Sequence, residues 1–243
     1  MARNSFEEFN AARQMADAHA DETQIDVGLR QYMLKVYNYM ASGVALTGIV
    51  AALTVQSESL MQLVFNSPLR WVIFLAPLGL VFFLSARIHK MSSSAAQTTF
   101  WIFAGLMGLS LASIFAIYTH TSIARVFFIT AGTFGAMSLY GYTTKRDLSG
   151  WGSFLFMGLI GVIIASIVNL FLASSALHFV ISVIGVLVFV GLTAYDIQRI
   201  REMYRAADHA EVYGKKAIMG ALTLYLDFIN LFIMLLHLFG QRE

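Results

Sequence analysis

The chain contains no cysteine, which excludes disulfides and thiolate metal sites. It has only 2 prolines, and charged residues make up 12% of its 243 positions. Soluble domains carry about 25%, so this chain has too little charge to clothe a water-facing surface. The formal net charge of +2 is too small to suggest a nucleic-acid partner. The first 34 residues lack a basic stretch followed by an apolar core, so no cleavable signal is expected. There is no Gly-x-Ser-x-Gly, no His-Glu-x-x-His and no phosphate loop, and no enzyme is expected. His89, His120, His178, His209 and His237 are scattered, and no two have metal-ligand spacing, so no zinc site is expected.

What the chain does have is apolar length. Hydrophobic residues make up 58% of it and its mean hydropathy is +0.70. A membrane helix needs roughly 17–25 mostly apolar residues. Seven runs qualify: 36–55, 69–88, 99–118, 123–142, 151–173, 177–197 and 217–239. The expected fold is all-α, a polytopic membrane protein of seven transmembrane helices. Pro77 falls inside the second run and predicts a kink there. The connections are short, and several are marked by serine clusters: Met91-Ser92-Ser93-Ser94, Asp147-Leu148-Ser149-Gly150 and Ala173-Ser174-Ser175. Residues 1–34 form a polar acidic tail, with Glu7, Glu8, Asp17, Asp21, Glu22 and Asp26, expected to be solvent-exposed and partly disordered or loosely helical. Residues 35–243 form the transmembrane domain.

Lys and Arg gather on alternate connections. Arg87, Lys90, Lys145, Arg146, Arg199, Arg201, Lys215 and Lys216 fall on one side with the N-terminus, and Arg70, Arg125 and Arg242 on the other. The positive-inside rule then places the N-terminus in the cytoplasm. The C-terminus emerges opposite if the seventh run crosses fully, but one arginine does not exclude a run that enters and returns. Small residues recur, as at Gly105 and Gly108, Gly158 and Gly161, and Gly185 and Gly191, and are expected to permit close packing in the bundle.

Two carboxylates stand out. Asp227 lies inside the last run, in Leu224-Tyr225-Leu226-Asp227-Phe228-Ile229-Asn230, and Asp196 ends the sixth, in Thr193-Ala194-Tyr195-Asp196-Ile197. A charged aspartate at bilayer depth costs about 2.5–3.5 kcal/mol on insertion scales, so it faces the bundle interior or a partner. The two meet if the sixth helix continues beyond Ile197. Carboxylates a few Å apart cannot both ionise cheaply, and so share a proton. Their oxygens also suit calcium, which would compete with the proton. The alternative for Asp196 is a solvated helix-end carboxylate bonded to Arg199 or Arg87. For Asp227 it is a structural hydrogen bond to a neighbouring helix. Thr223, Asp227 and Asn230 share one helical face, so Asn230 either lends a carbonyl oxygen or makes a packing bond. Asn169 reads as interhelical glue. Tyr140, Tyr195 and Tyr225 read as interfacial or packing aromatics. A membrane aspartyl protease would need glycines beside its aspartates, and Tyr195-Asp196 and Leu226-Asp227 lack them.

Three stretches, 134–149, Gly191-Leu192-Thr193-Ala194-Tyr195-Asp196 and 222–232, together resemble the transmembrane Bax inhibitor motif family in its bacterial inner-membrane branch. The resemblance covers about Leu29 to the C-terminus and leaves the acidic tail outside. It implies six helices wrapped around a hydrophobic seventh. It also implies a pH-sensitive calcium leak, with the family's paired aspartates falling on Asp196 and Asp227. An arginine near the end of the second helix, tied to that pair in some members, would correspond by position to Arg87. The expected function is therefore a passive calcium leak gated by a proton-sharing aspartate pair, without a bound cofactor. The alternative is a non-transporting regulator that docks on other integral membrane proteins such as a protease or secretion complex; the acidic tail and the lack of an obvious hydrophilic pore motivate it.

Overall fold

The computed structural model describes the backbone of residues 2–242 and the side chains of residues 27–242. Eight α-helices follow in order: α1 Ala2–Gln56, α2 Glu58–Met61, α3 Leu69–Arg87, α4 Ser93–Ile117, α5 His120–Thr143, α6 Ser149–Leu172, α7 Ser175–Glu202 and α8 Ala210–Phe239. Seven contain a stretch long and apolar enough to cross a membrane. The observed spans exceed the sequence estimates at most ends. The largest differences are Val27–Gln56, which starts well before residue 36, and Ala210–Phe239, which starts before residue 217. The reason is local. Tyr32 and Met33 are buried although the segment around them is polar, so packing extends the helix where hydropathy does not. The acidic side chains of the tail up to Asp26 lie outside the described side chains.

Serines start two helices within the turn clusters, and Thr119 starts a third outside them. Ser92 accepts from Ala95 N–H, Thr119 from Ser122 N–H and Ser174 from Leu177 N–H, satisfying donors that have no partner within their helices. Pro77 is accommodated inside α3.

The last span is the centre of the bundle. In α8, 67% of the apolar window is buried, against 11–39% in the other six. α1, α4, α5 and α7 pack around it, with α3 touching it. α6 leans on α7 instead, and glycines let it come close. A Cβ on Gly158 would stand 2.9 Å from the Val188 side chain, and one on Gly191 would stand 2.6 Å from Leu155. At Gly105, Gly132, Gly135 and Gly161 an added Cβ meets nothing within 4 Å, so these glycines are not packing contacts.

One face of α8 is locked by Tyr225. Its hydroxyl meets Thr47 Oγ1 at 2.6 Å, and Thr47 donates in turn to the Ala104 carbonyl at 2.8 Å. Phe100 and Phe103 pack edge-on against its ring. Tyr225 is thus a buried core anchor joining α1, α4 and α8. Tyr140, by contrast, is 43% exposed.

α8 runs unbroken for 30 residues, about 45 Å at 1.5 Å per residue. Its start is tied to α4, where Glu211 accepts from Ser93 N–H at 2.7 Å. Beyond its end, Gln241 N–H donates to Ser122 Oγ, the Gln241 carbonyl accepts from Thr119 N–H, and Arg242 pairs with Tyr118 in an isolated bridge. These contacts hold opposite ends of α4. The last helix therefore passes through the whole bundle and does not turn back.

Candidate functional site

α7 continues past Ile197 to Glu202, which sets Asp196 about 9 Å inside the helix end. Asp227 lies deep in α8. The two are buried, with 9% and 5% of their surface exposed, and both line the same cavity. A carboxylate has no donor, so the two can bond each other only while they share a proton. Neither aspartate has an ion-pair partner among the described residues. Oδ2 of Asp227 is buried and receives no hydrogen bond from the protein.

The pair borders a cavity of about 660 Å³. It exists because α6 rests on α7 and not on α8, leaving space bounded by α3, α6, α7 and α8. Its polar lining comes from Tyr195, Asp196 and Arg199 on α7, Thr223, Asp227 and Asn230 on α8, and Ser153 on α6. Leu78, Phe156 and Ile163 make part of the apolar wall. Gly152 makes room for the Tyr195 ring, which an added Cβ would meet at 2.6 Å.

Hydrogen-bond bookkeeping gives the lining its character. Thr223 donates its hydroxyl proton to the Met219 carbonyl at 3.1 Å, and Asn230 donates from its amide to the Leu226 carbonyl at 2.8 Å. Both therefore turn their donors toward their own helix. What they and the aspartates offer the cavity is oxygen. Such a donor set fits a hard cation, which takes 6–8 oxygens for calcium. Asp196 and Asp227 would hold it, with Asn230 and Thr223 as neutral additions. Among the described residues no cluster of three or more His, Cys, Asp or Glu forms a closed metal site.

The structure does not bring every sequence candidate here. Arg87 is exposed at the end of α3 and does not line the cavity. Arg199, one turn beyond Asp196, lines the cavity instead and is exposed at its edge. Asn169 is not interhelical glue. Its Oδ1 accepts from Ser174 N–H at 3.0 Å, closing the turn after its own helix. Gln198, which sequence reasoning missed, is only 5% exposed. Its amide nitrogen donates to the Arg146 carbonyl at 2.9 Å and its oxygen accepts from Leu148 N–H at 2.8 Å, pinning the α5–α6 connection to α7. Arg201 adds a bond to the Tyr142 carbonyl. Tyr195, Asp196, Gln198 and Arg199 thus act on one turn of helix. His178 and His237, far apart in sequence, meet between α7 and α8 with ring centroids 4.4 Å apart and ring planes tilted by 51°. No pattern of spacing could have revealed that contact.

Residues 29–243 match the model of the family described as "Inhibitor of apoptosis-promoting Bax1". The chain is 54% identical to "Uncharacterized protein RP147" of Rickettsia prowazekii over 218 residues, covering 90% of this chain and 92% of that one. It is 51% identical to "Inner membrane protein YbhL" of Escherichia coli K12 over 219 residues, covering 89% and 94%. A Caulobacter vibrioides protein is 43% identical over 247 residues and covers 96% of both chains. The matched segment contains the whole helical bundle and both aspartates, and the chain belongs to this Bax inhibitor-like family of membrane proteins.

Proposed function

We propose that the protein is a passive, pH-sensitive cation leak of the bacterial inner membrane, with calcium as the ion carried. The observation that supports this most is that Asp196 and Asp227, both buried, line one cavity between helices together with other oxygen-bearing side chains. Seven candidate spans and the printed name of the Escherichia coli relative support the inner-membrane placement, and the Lys and Arg distribution supports a cytoplasmic N-terminus.

The mechanism is electrostatic competition. While the pair holds a proton, the carboxyls bind each other and α7 is clasped to α8. Removing the proton leaves two like charges side by side, which favours separation or capture of a cation. Proton and calcium therefore oppose one another at the same oxygens, and flux rises with pH. Arg199 at the rim is positively placed to resist premature cation entry. The protein performs no covalent chemistry in this scheme and is not an enzyme.

Purified protein in calcium-free liposomes provides the test. Calcium uptake read by an internal indicator should rise between about pH 5 and 8, a window bracketing the carboxyl titrations of buried sites. Silent liposomes at every pH, with stable capture of an integral membrane partner, would favour the regulator function instead.

A further inference from the structure

We infer that the aspartate cavity is also a binding site for a protonated primary amine carried on an aliphatic chain, admitted sideways from the bilayer between α3 and α6. Three observations lead there. First, the wall of the cavity is continuous with the outer surface of the protein. Leu78, Phe156 and Ile163 line it, and the same residues are 56%, 58% and 49% exposed. α3 packs on α4 and α6 packs on α7, so no helix seals the gap between them. The mouth is therefore apolar and opens on hydrocarbon.

Second, the polar groups nearest Asp227 on α8 leave it an unpaired oxygen. Thr223 and Asn230 direct theirs to backbone carbonyls of α8, and Asp227 keeps a buried Oδ2 with no partner. A primary ammonium brings three N–H donors and the complementary charge. It satisfies a buried carboxylate better than an uncharged group can, since charge-assisted bonds are the stronger ones. Third, the size fits. The cavity of about 660 Å³ lies in the range of sites that enclose small organic molecules, roughly 300–1,000 Å³.

A hydrated ion gains nothing from an apolar mouth, whereas an alkyl chain does. Among the described residues the only cationic side chain bordering the cavity is Arg199, which is exposed at the rim and not ion-paired to either aspartate. An amine seated on Asp227 lies on the membrane side of that rim, with its chain directed outward past Leu78 and Ile163.

The inference rests on the cavity and not on ion flux, so it is tested by binding. Thermal unfolding of the full chain in an uncharged maltoside would be followed with dodecylamine, dodecyltrimethylammonium, dodecanol and ethylamine at matched concentrations. Dodecylamine should raise Tm by several degrees. The quaternary amine has charge without N–H donors, and the alcohol has no charge; each should give less than half that shift. Ethylamine, lacking the chain, should give almost none. Asp227→Asn should abolish the dodecylamine shift, and Ile163→Trp, which narrows the mouth without touching the floor, should weaken it. Should a variant fold poorly, Asp196→Asn and direct titration of dodecylamine by calorimetry provide the same comparison. Equal shifts from dodecylamine and dodecyltrimethylammonium, or an undiminished shift in Asp227→Asn, would overturn the site. Native mass spectrometry from mixed phosphatidylethanolamine and phosphatidylcholine then identifies the source. Selective retention of the aminophospholipid assigns the amine to a lipid headgroup, and equal retention assigns it to a free alkylamine. If calcium flux is absent but the amine series holds, the amine site stands and the leak fails.

Discussion

At the scale of single residues, the aspartates were legible because a carboxylate in an apolar run has few places to go. Two such groups near facing helix segments have fewer still. The pair acts as one unit, so its members should be non-additive. Asp196→Asn and Asp227→Asn should each flatten the pH dependence of calcium flux in liposomes, and the double variant should add little to either. Two single variants that retain the parent profile would remove the pair from the gating mechanism. Gln198 and the His178–His237 contact were not legible, because each depends on which helix packs beside which. Tyr225 was visible only as one aromatic among many. The structure makes its hydroxyl a buried bond to Thr47. Tyr225→Phe removes that bond and leaves Thr47 bonded to the Ala104 carbonyl, so it should cost about 1 kcal/mol. Urea or thermal unfolding in detergent would measure it, and a loss indistinguishable from zero would show that the hydroxyl adds nothing.

At the scale of elements, helix starts could be read from serine and threonine because capping is a local interaction. Helix ends were harder. α1 and α8 extend into polar sequence on the strength of packing by Tyr32, Met33 and Gly214, which no hydropathy window registers. The α5–α6 connection illustrates how the site is held. Gln198 bonds it from α7 at two points, and Asp147 accepts from Ser149 N–H at 2.8 Å at the start of α6. Gln198→Leu leaves the Arg146 carbonyl and Leu148 N–H without their partner. It should cost about 1–3 kcal/mol and shift the pH profile of flux, since Asp196 lies on the same turn. Trypsin cleavage after Lys145 or Arg146 should also accelerate; unchanged cleavage would mean the connection is held by other contacts. Asp147 adds a small pH dependence of known sign. Its bonds to Ser149 hold its carboxyl below the ordinary value of 3.8. The contribution is therefore complete above the unfolded value and is lost as pH falls through the lower folded one. Asp147→Asn should remove that component, lowering the melting temperature slightly at neutral pH and leaving it unchanged once the pH is below the folded titration.

At the scale of the molecule, composition alone gave the class and hydropathy gave the number of spans. The arrangement of six helices about the last was implied by family resemblance; α8 is the most buried span, but α1, α3, α4, α5 and α7 surround it while α6 rests on α7 outside that ring. The cavity was out of reach of the sequence, because it arises from α6 packing on α7 and missing α8. Crossing and sidedness can now be separated. The geometry fixes that the end of α8 lies with the α4–α5 connection, through the bonds of Gln241 to Thr119 and Ser122, and opposite the Lys216–Asp208 pair that closes the α7–α8 connection at 2.6 Å. The α5–α6 connection lies on the Lys216 side, since Gln198 and Arg201 near the end of α7 hold it. Charge decides which side is which. Lys145, Arg146, Arg199, Arg201, Lys215 and Lys216 cluster on one end, and Arg125 and Arg242 lie on the other, so under the proposed orientation the first end is the cytoplasmic one by the positive-inside rule. Reporters fused after Gly150 should be cytoplasmic, and those fused after Ser175 or at the C-terminus should be external. A cytoplasmic C-terminus with Gly150 also cytoplasmic would contradict the through-crossing of α8. Complete inversion of all three labels would leave the fold intact and reverse the orientation, placing Asp196 near the external surface and requiring that external rather than cytoplasmic pH govern the pair.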